Sequence, residues 1–266
     1  MKIMKRISLS IALIMASLFS LSAQDADYKS MTLTFAELKE VHATIPTHIT
    51  ITASGSDTIE VSYPADAEEY IDIFVDKKDS ALIIKREKST VKSRRDFPVS
   101  EKRPIRVSIP SSSIRRILNT SDMILHLENS TFDNWAMIAN TGTLGITGEA
   151  IVAKTKIEYY NTGTMTNNLK RHDTSMLMLS NTGFLLTKGE TSAAHIEQNS
   201  TGIENTDLRV SCKKLERHST GSGKIRYRGS ADSVNIAWFI DDICVMKDGA
   251  DTDVARTIQV ANPNLK

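Results

Sequence analysis

The chain has 266 residues, 40% of them hydrophobic and 24% charged, and its 33 basic and 32 acidic side chains leave a formal net charge of +1. So even a balance is not that of a nucleic-acid binder, which needs a clustered excess of Lys and Arg. The length fits one extended domain or two small ones.

The first element is an export signal. Lys2, Lys5 and Arg6 form a basic start, an apolar run extends from Ile7 to Leu21, and Leu21-Ser22-Ala23 closes it with small residues. That is the three-part pattern of a secretory signal peptide over residues 1–23, with cleavage expected after Ala23. The run is shorter than the ~20 apolar residues of a membrane span, and no later stretch is long or apolar enough to cross. No cysteine stands near the cleavage point, so a lipoprotein is not expected. Removing three basic residues and no acidic ones gives 30 minus 32, a mature charge of −2. The chain is read as exported to the periplasm or the cell surface.

Residues 24–110 form an all-β region. Alternating stretches run through Ile45–Ile51, Ile59–Val61, Ile71–Val75, Leu82–Ile84 and Ile105–Ile109, separated by turn signals such as Ser54-Gly55-Ser56-Asp57. This region is expected to serve as the cap or first coils of a larger β structure. Within it, the segment from Lys85 to Arg103 has eight basic residues against three acidic. Lys92, Arg94, Arg95, Lys102 and Arg103 form a candidate patch for an anionic glycan. The plainer reading, and the preferred one, is a solvated hairpin loop.

A repeat occupies residues 111–240. Asn-Thr-Gly occurs at 140–142, 161–163 and 181–183, with Asn119-Thr120-Ser121 before them and Ser200-Thr201-Gly202 and Ser219-Thr220-Gly221 after. The third position advances by 21, 21, 20, 19 and 19 residues. Apolar side chains recur two and four residues before the Asn, as in Ile157 and Tyr159 or Leu177 and Leu179. A period of two means strands. A coil of this length, built of short strands and Gly turns, is a parallel β-helix. Stacking at ~4.8 Å would place Asn119, Asn140, Asn161 and Asn181 in an internal ladder of hydrogen-bonded amides. Ser121, Gly142, Gly163, Gly183, Gly202 and Gly221 would form the turns, the glycines supplying positive φ. The Thr column would point outward. It reads as β-propensity beside a turn in preference to a regular ligand or ice-binding face. Residues 241–266 break the pattern and are expected to be a C-terminal cap and tail. Cys212 and Cys244 sit among apolar neighbours that suit buried thiols, although export would permit a disulfide.

The strands ending in RPIRVSIP, the Gly-punctuated coils and TGSGKIRYRGSADSVNI at 220–236 together resemble the exported domain-of-unknown-function family called the putative auto-transporter adhesin head, or GIN, domain. The resemblance covers most of residues 31–240 and is most specific from Gly221 to Gly229. The chain departs from it in using Asn-Thr-Gly where the family often shows Ser-Gly pairs. The resemblance implies a right-handed parallel β-helix at an exported or surface location. Adhesion is implied only by the family's name, and there are no family catalytic residues to carry over.

Residues suited to chemistry are few. Asp241-Asp242 is the only adjacent acidic pair in the C-terminal half and reads as a cap turn. His172, His195 and His218 recur every 23 residues while the coil is 19–21, so they drift around the cross-section and do not form a metal column. No Cys/His cluster has zinc spacing, and no nucleophile motif is present. No catalytic residue, metal or cofactor is expected. The first expectation is therefore a non-enzymatic envelope or surface protein that presents a β-helix face to glycan or to an envelope or host protein. The alternatives are a periplasmic scaffold and a carbohydrate-active enzyme on the same fold. The sequence sets no oligomeric state.

Overall fold

The computed structural model describes residues 27–52, 56–87, 97–110, 114–128, 130–132, 136–148, 151–153, 156–168, 172–201, 203–219, 222–237 and 246–247. The signal segment, Lys92, Arg94, Arg95, Gly202, Gly221, Asp241-Asp242 and Cys244 lie outside these residues.

All strands join one 20-stranded sheet, wound into a parallel β-helix of three faces. On the first face, Arg116–Asn119, Ala136–Asn140, Lys156–Asn161 and the second half of His172–Asn181 stack in parallel, and Phe184–Ser200, Ile203–Ser219 and Ser222–Ala237 continue the stack. On the second, Asp122–Glu128, Thr143–Gly148 and Thr164–Asn167 stack, and the start of Phe184–Ser200 comes next. The third begins with Ser130–Phe132 and Ile151–Ala153 and runs on through the starting residues of His172–Asn181. The register pairs Asn119 with Asn140, Asn140 with Asn161, Asn161 with Asn181, Asn181 with Ser200 and Ser200 with Ser219. The sequence spacing is therefore the coil length.

Alternation sorts the side chains. Ile117, Ile138, Tyr159 and Leu179 stack as one buried column, with Leu144, Met165 and Leu185 facing them from the second face. Such columns give each coil the apolar cover it could not make alone. In the later coils the place of Leu179 passes to Gln198 and then Arg217, and both remain fully buried. Tyr159 is also fully buried. Its hydroxyl bonds the Asn167 side chain, and burial holds its pKa far above the phenol range.

The N-terminal region is interleaved. Glu40–Ala43 and Thr47–Thr52 form a coil directly on Arg116–Asn119 and Asp122–Glu128. On its other side lies a later coil, Ala81–Arg86 with Ile105–Ile109. The strand after Ile105–Ile109, Arg116–Asn119, thus lies one coil back on the far side of Glu40–Ala43, and the apolar core is continuous from Ile109 to Ile114 and Ile117. Ile71–Asp76 and Thr58–Pro64 add antiparallel to this outer coil, and Tyr28–Thr34 adds to the latter. A 3-10 turn, Ala65–Tyr70, joins the two faces here and buries Ala67. The final edges carry charge that blunts further pairing. Lys29 pairs with Glu68, Lys85 with Asp72 at 3.1 Å, and the Arg106 guanidinium lies 4.3 Å over the Tyr28 ring. Among the described residues, no helix is long and apolar enough to cross a membrane.

Candidate functional site

The corner between the first and second faces is built from the repeated tripeptide. Asn119, Asn140, Asn161 and Asn181 are each at most 2% exposed. Asn119 Nδ2 donates to Asn140 Oδ1 at 2.8 Å, Asn140 to Asn161 at 2.8 Å, and Asn161 to Asn181 at 2.7 Å. The same Nδ2 of Asn140 reaches its own turn at Gly142 O, 2.9 Å, and the next coil at Thr164 O, 3.0 Å. Its Oδ1 accepts from Gly142 N at 3.2 Å. One carboxamide thus closes its turn and ties it to both neighbours. Two hydrogens serve three acceptors, so one is shared between two of them. The column does not extend to the coil above, where Ala43 takes the register position of Asn119 and Ile45 falls at the position of Ser121 and the turn glycines.

The glycines of these turns are needed for a reason other than the expected one. Among the described residues, positive φ occurs in Gly148, Gly229 and Ser80, not in Gly142, Gly163 or Gly183. What excludes a side chain is space. A Cβ on Gly163 would stand 2.1 Å from Gly142 O, and one on Gly183 2.1 Å from Gly163 O. Each turn is pressed flat against the carbonyl of the turn before it, so the next coil can seat only a glycine.

Of the basic patch, the described members are Lys102 and Arg103. Lys102 is exposed. Arg103 grips Asp66 with both terminal guanidinium nitrogens, at 3.0 and 2.9 Å, and this fork partly neutralises it. The histidines sit in different columns: His172 pairs with Ile151, His195 with Lys214 and His218 with Asn199. No group of three His, Cys, Asp or Glu able to hold a metal ion occurs among the described residues. Cys212 is buried and unbridged, and burial pushes its thiol up to about 11, which makes it a poor nucleophile.

Two outward faces remain, and neither stands out in the sequence alone. On the first face, Glu158, Met178, Glu197 and Glu216 share a column. The Glu216 carboxylate lies 2.7 Å from Lys214 Nζ and 2.7 Å from His195 Nε2, and the Lys214 hydrogen bond, foremost, holds its carboxyl below the usual range. Lys156 pairs with Glu158, and Asn199 donates to Glu197 at 3.0 Å. Glu158 is only 7% exposed, whereas Lys214 stands at the surface, and an ion pair made there contributes little. Glu216→Gln should therefore lower the urea-derived stability at pH 7 by no more than ~1 kcal/mol. Because the folded pKa is depressed, the contribution is present in full above the unfolded value near ~4.3 and is lost as the pH falls from there through the folded value. Wild type and variant should converge in acid.

The second face is different in kind. Thr143 and Thr164 stack in one column and continue into Phe184. The next column runs Ile124, Gly145, Thr166, Leu186. Ile124 is 45% and Phe184 40% exposed. Beside them, His126 Nδ1 meets Thr147 Oγ1 at 3.1 Å. The signal for such a face lies in what the outward positions between buried Leu144, Ile146 and Met165 contain, and it becomes legible only once the register is known.

A family model described as "Putative auto-transporter adhesin, head GIN domain" matches residues 37–238. No curated protein matches the chain. Among solved structures, one described as a putative adhesin from Bacteroides fragilis NCTC 9343 superposes with a TM-score of 0.62 at 16% identity, covering 84% of this chain and 97% of its own. A second, described as a putative adhesin from Parabacteroides merdae ATCC 43184, gives 0.56 at 14%, over 84% and 96%. A third, described as a putative lipid binding protein from Parabacteroides distasonis ATCC 8503, gives 0.52 at 12%, over 85% and 96%. At these identities the likeness speaks for the fold alone.

Proposed function

The chain belongs to the family described as "Putative auto-transporter adhesin, head GIN domain", and from that premise we infer that it is an exported, non-enzymatic envelope or surface protein that presents a β-helix face to glycan or protein. The observation that carries this reading is the pair of long outward faces, held flat by an in-register stack, one of them with exposed Phe184 and Ile124. Large exposed apolar side chains on a rigid surface are what a binding module offers. The export pattern of residues 1–23 supports the location, and the names of the family and of two of the three structural neighbours are those of adhesins, the third being that of a lipid binding protein.

A carbohydrate-active enzyme would use the Glu158–Glu197–Glu216 column. Glycoside hydrolysis, however, needs one carboxyl raised to act as an acid. Glu216 is held in the opposite direction by Lys214 and His195, which suits a structural charge.

The test is protease accessibility on intact cells of the source organism, with lysed cells as control. Digestion on intact cells is expected. Protection until lysis would replace adhesion with a periplasmic scaffold.

A further inference from the structure

The outward positions of the first face are arranged symmetrically about one residue. Glu158 points outward in register yet is only 7% exposed. Lys156 pairs with it from one side along the strand, and Tyr160 hydrogen-bonds it from the other. The carboxylate is therefore neutralised and sunk beneath its neighbours. One coil above it lies Met137 and one coil below it Met178, both half-buried. Two coils above lies Arg116 and two coils below Glu197. Ala139 and Met176 stand diagonally opposite each other about the same point. Tyr160 is 38% exposed. Charge gathers at the two ends. Above, Glu40 holds His42 at 2.9 Å and Arg116 at 3.1 Å. Below, Glu216 holds Lys214 and His195.

Each feature narrows the partner. Aromatic, Met and Arg side chains are enriched in protein interfaces, while charge gathers toward the rim. The symmetry then says which protein. A half-turn about the normal through Glu158 carries Met137 onto Met178, Ala139 onto Met176, Arg116 onto Glu197 and Tyr160 onto Lys156. A second copy laid antiparallel on this face would set methionine on methionine at its centre. It would also set a guanidinium against a carboxylate twice and an ammonium over an aromatic ring twice. Glu40 falls opposite Glu216, and each already holds its own cations. Reciprocal contact of this kind is what a two-fold interface requires, and an unrelated partner has no need of it. The size also suits. Seven coils at ~4.8 Å and three columns at roughly 6.6 Å, with side-chain margins, give about 36 by 20 Å, or roughly 700 Å². A standard interface buries about 800 Å² per partner.

We propose that the protein forms a two-fold dimer of antiparallel β-helices joined through the first face, with the axis at Glu158. The dimer closes that face and leaves the second face of each copy uncovered.

The experiment is sedimentation velocity of the mature protein, residues 24–266, at about 50 μM, a concentration at which even a micromolar dimer is mostly assembled. Twice the monomer mass is expected. Met178→Lys and Tyr160→Ala should each raise the dimer dissociation constant about tenfold or more. Arg116→Glu and Glu197→Arg should each weaken it about tenfold, and the double variant should return to within about threefold of wild type. Within one chain these two residues stand four coils, ~19 Å, apart, so recovery cannot come from a contact inside the fold. Circular dichroism and melting temperature show that each variant folds, and Met178→Lys and Tyr160→Ala carry the test without touching the Arg116–Glu40 pair. A monomer at this concentration would overturn the proposal. So would a dimer that Met178→Lys and Tyr160→Ala leave intact, because another face would then join the copies. Charge reversals that the double variant does not repair would equally overturn it, because the axis would not lie at Glu158.

Discussion

Gly163→Ala is expected to destabilise the protein severely, while Gly145→Ala, in the next strand over, leaves it unchanged or slightly more stable. The two substitutions add the same methyl group to the same β-helix. At Gly163 the new Cβ would lie 2.1 Å from Gly142 O, and 2.8 and 2.9 Å from the O and C of Thr141. All three atoms are backbone in the turn above, whose amide and carbonyl groups are themselves bonded to the coil: Thr162 N to Asn140 O at 2.9 Å, and Thr164 N to Gly142 O at 2.9 Å. No side-chain rotamer can give way. Relief requires the coils to separate, which breaks these bonds and the Asn140–Asn161 link. The cost should exceed the ~1–3 kcal/mol of ordinary overpacking, and at ~2–4 °C per kcal/mol for a domain of this size the melting temperature should fall by about 10 °C or more. At Gly145 the nearest atom is a side-chain oxygen at 3.6 Å. Replacing a strand glycine by alanine there removes unfolded-chain entropy and is worth roughly +0.5 kcal/mol. Thermal unfolding of both variants checks the pair. Equal melting temperatures would show that the turns do not stack as closely as described.

The second large effect is expected at Asn140→Asp, and its signature is pH. The amide Nδ2 donates to Asn161 Oδ1, Gly142 O and Thr164 O within 3.0 Å. A carboxylate keeps the accepting role toward Asn119 and Gly142 N but turns its second oxygen against three acceptors, in a site 1% exposed. Its charged form is disfavoured by burial and by those oxygens, so the folded pKa must rise above the unfolded value near ~3.9. Below that value both states hold the proton, and the variant's deficit is smallest. As pH climbs, the unfolded state ionises first, and stability falls by ~1.4 kcal/mol per pH unit until the folded pKa is passed. At pH 7 the deficit should reach roughly 3 kcal/mol or more. Urea midpoints of variant and wild type from pH 4 to pH 8 measure this. A deficit that does not change with pH would mean that the Asn140 amide is not the donor that ties the coils.

Much of the fold was legible because a β-helix writes its register into the sequence. The spacing of Asn119, Asn140, Asn161 and Asn181 is the coil length, and the apolar pairs two and four residues before Asn140, Asn161 and Asn181 are the core columns. Alternation said which side of each strand was inside, and the burial of Gln198 and Arg217 shows that it does so even where the residue is polar. The role of the turn glycines was hidden because backbone freedom is a property of one residue. The contact that excludes a Cβ comes from a residue 20 or 21 positions earlier. The order of the N-terminal coils was hidden for a related reason. Nothing in the alternation of Glu40–Ala43 or Ala81–Arg86 says which of the two stacks on Arg116–Asn119. The candidate faces were hidden most of all. Thr143, Thr164, Phe184, Ile124 and Gly145 form no motif along the chain, and only stacking makes them neighbours.

Both outward faces exist only in this register, and the register can be tested by cross-linking. Thr141, Thr162 and Thr182 are exposed in successive turns. Thr141→Cys with Thr162→Cys would place two Cα atoms ~4.8 Å apart, within the roughly 4.4–6.8 Å span of a disulfide. Thr141→Cys with Thr182→Cys would place them at about twice that, beyond reach. After mild oxidation, mass spectrometry of the digested protein should find the first pair linked and the second unlinked. Linkage of the second pair, or of neither, would contradict the stacked Asn-Thr-Gly turns and the faces built on them.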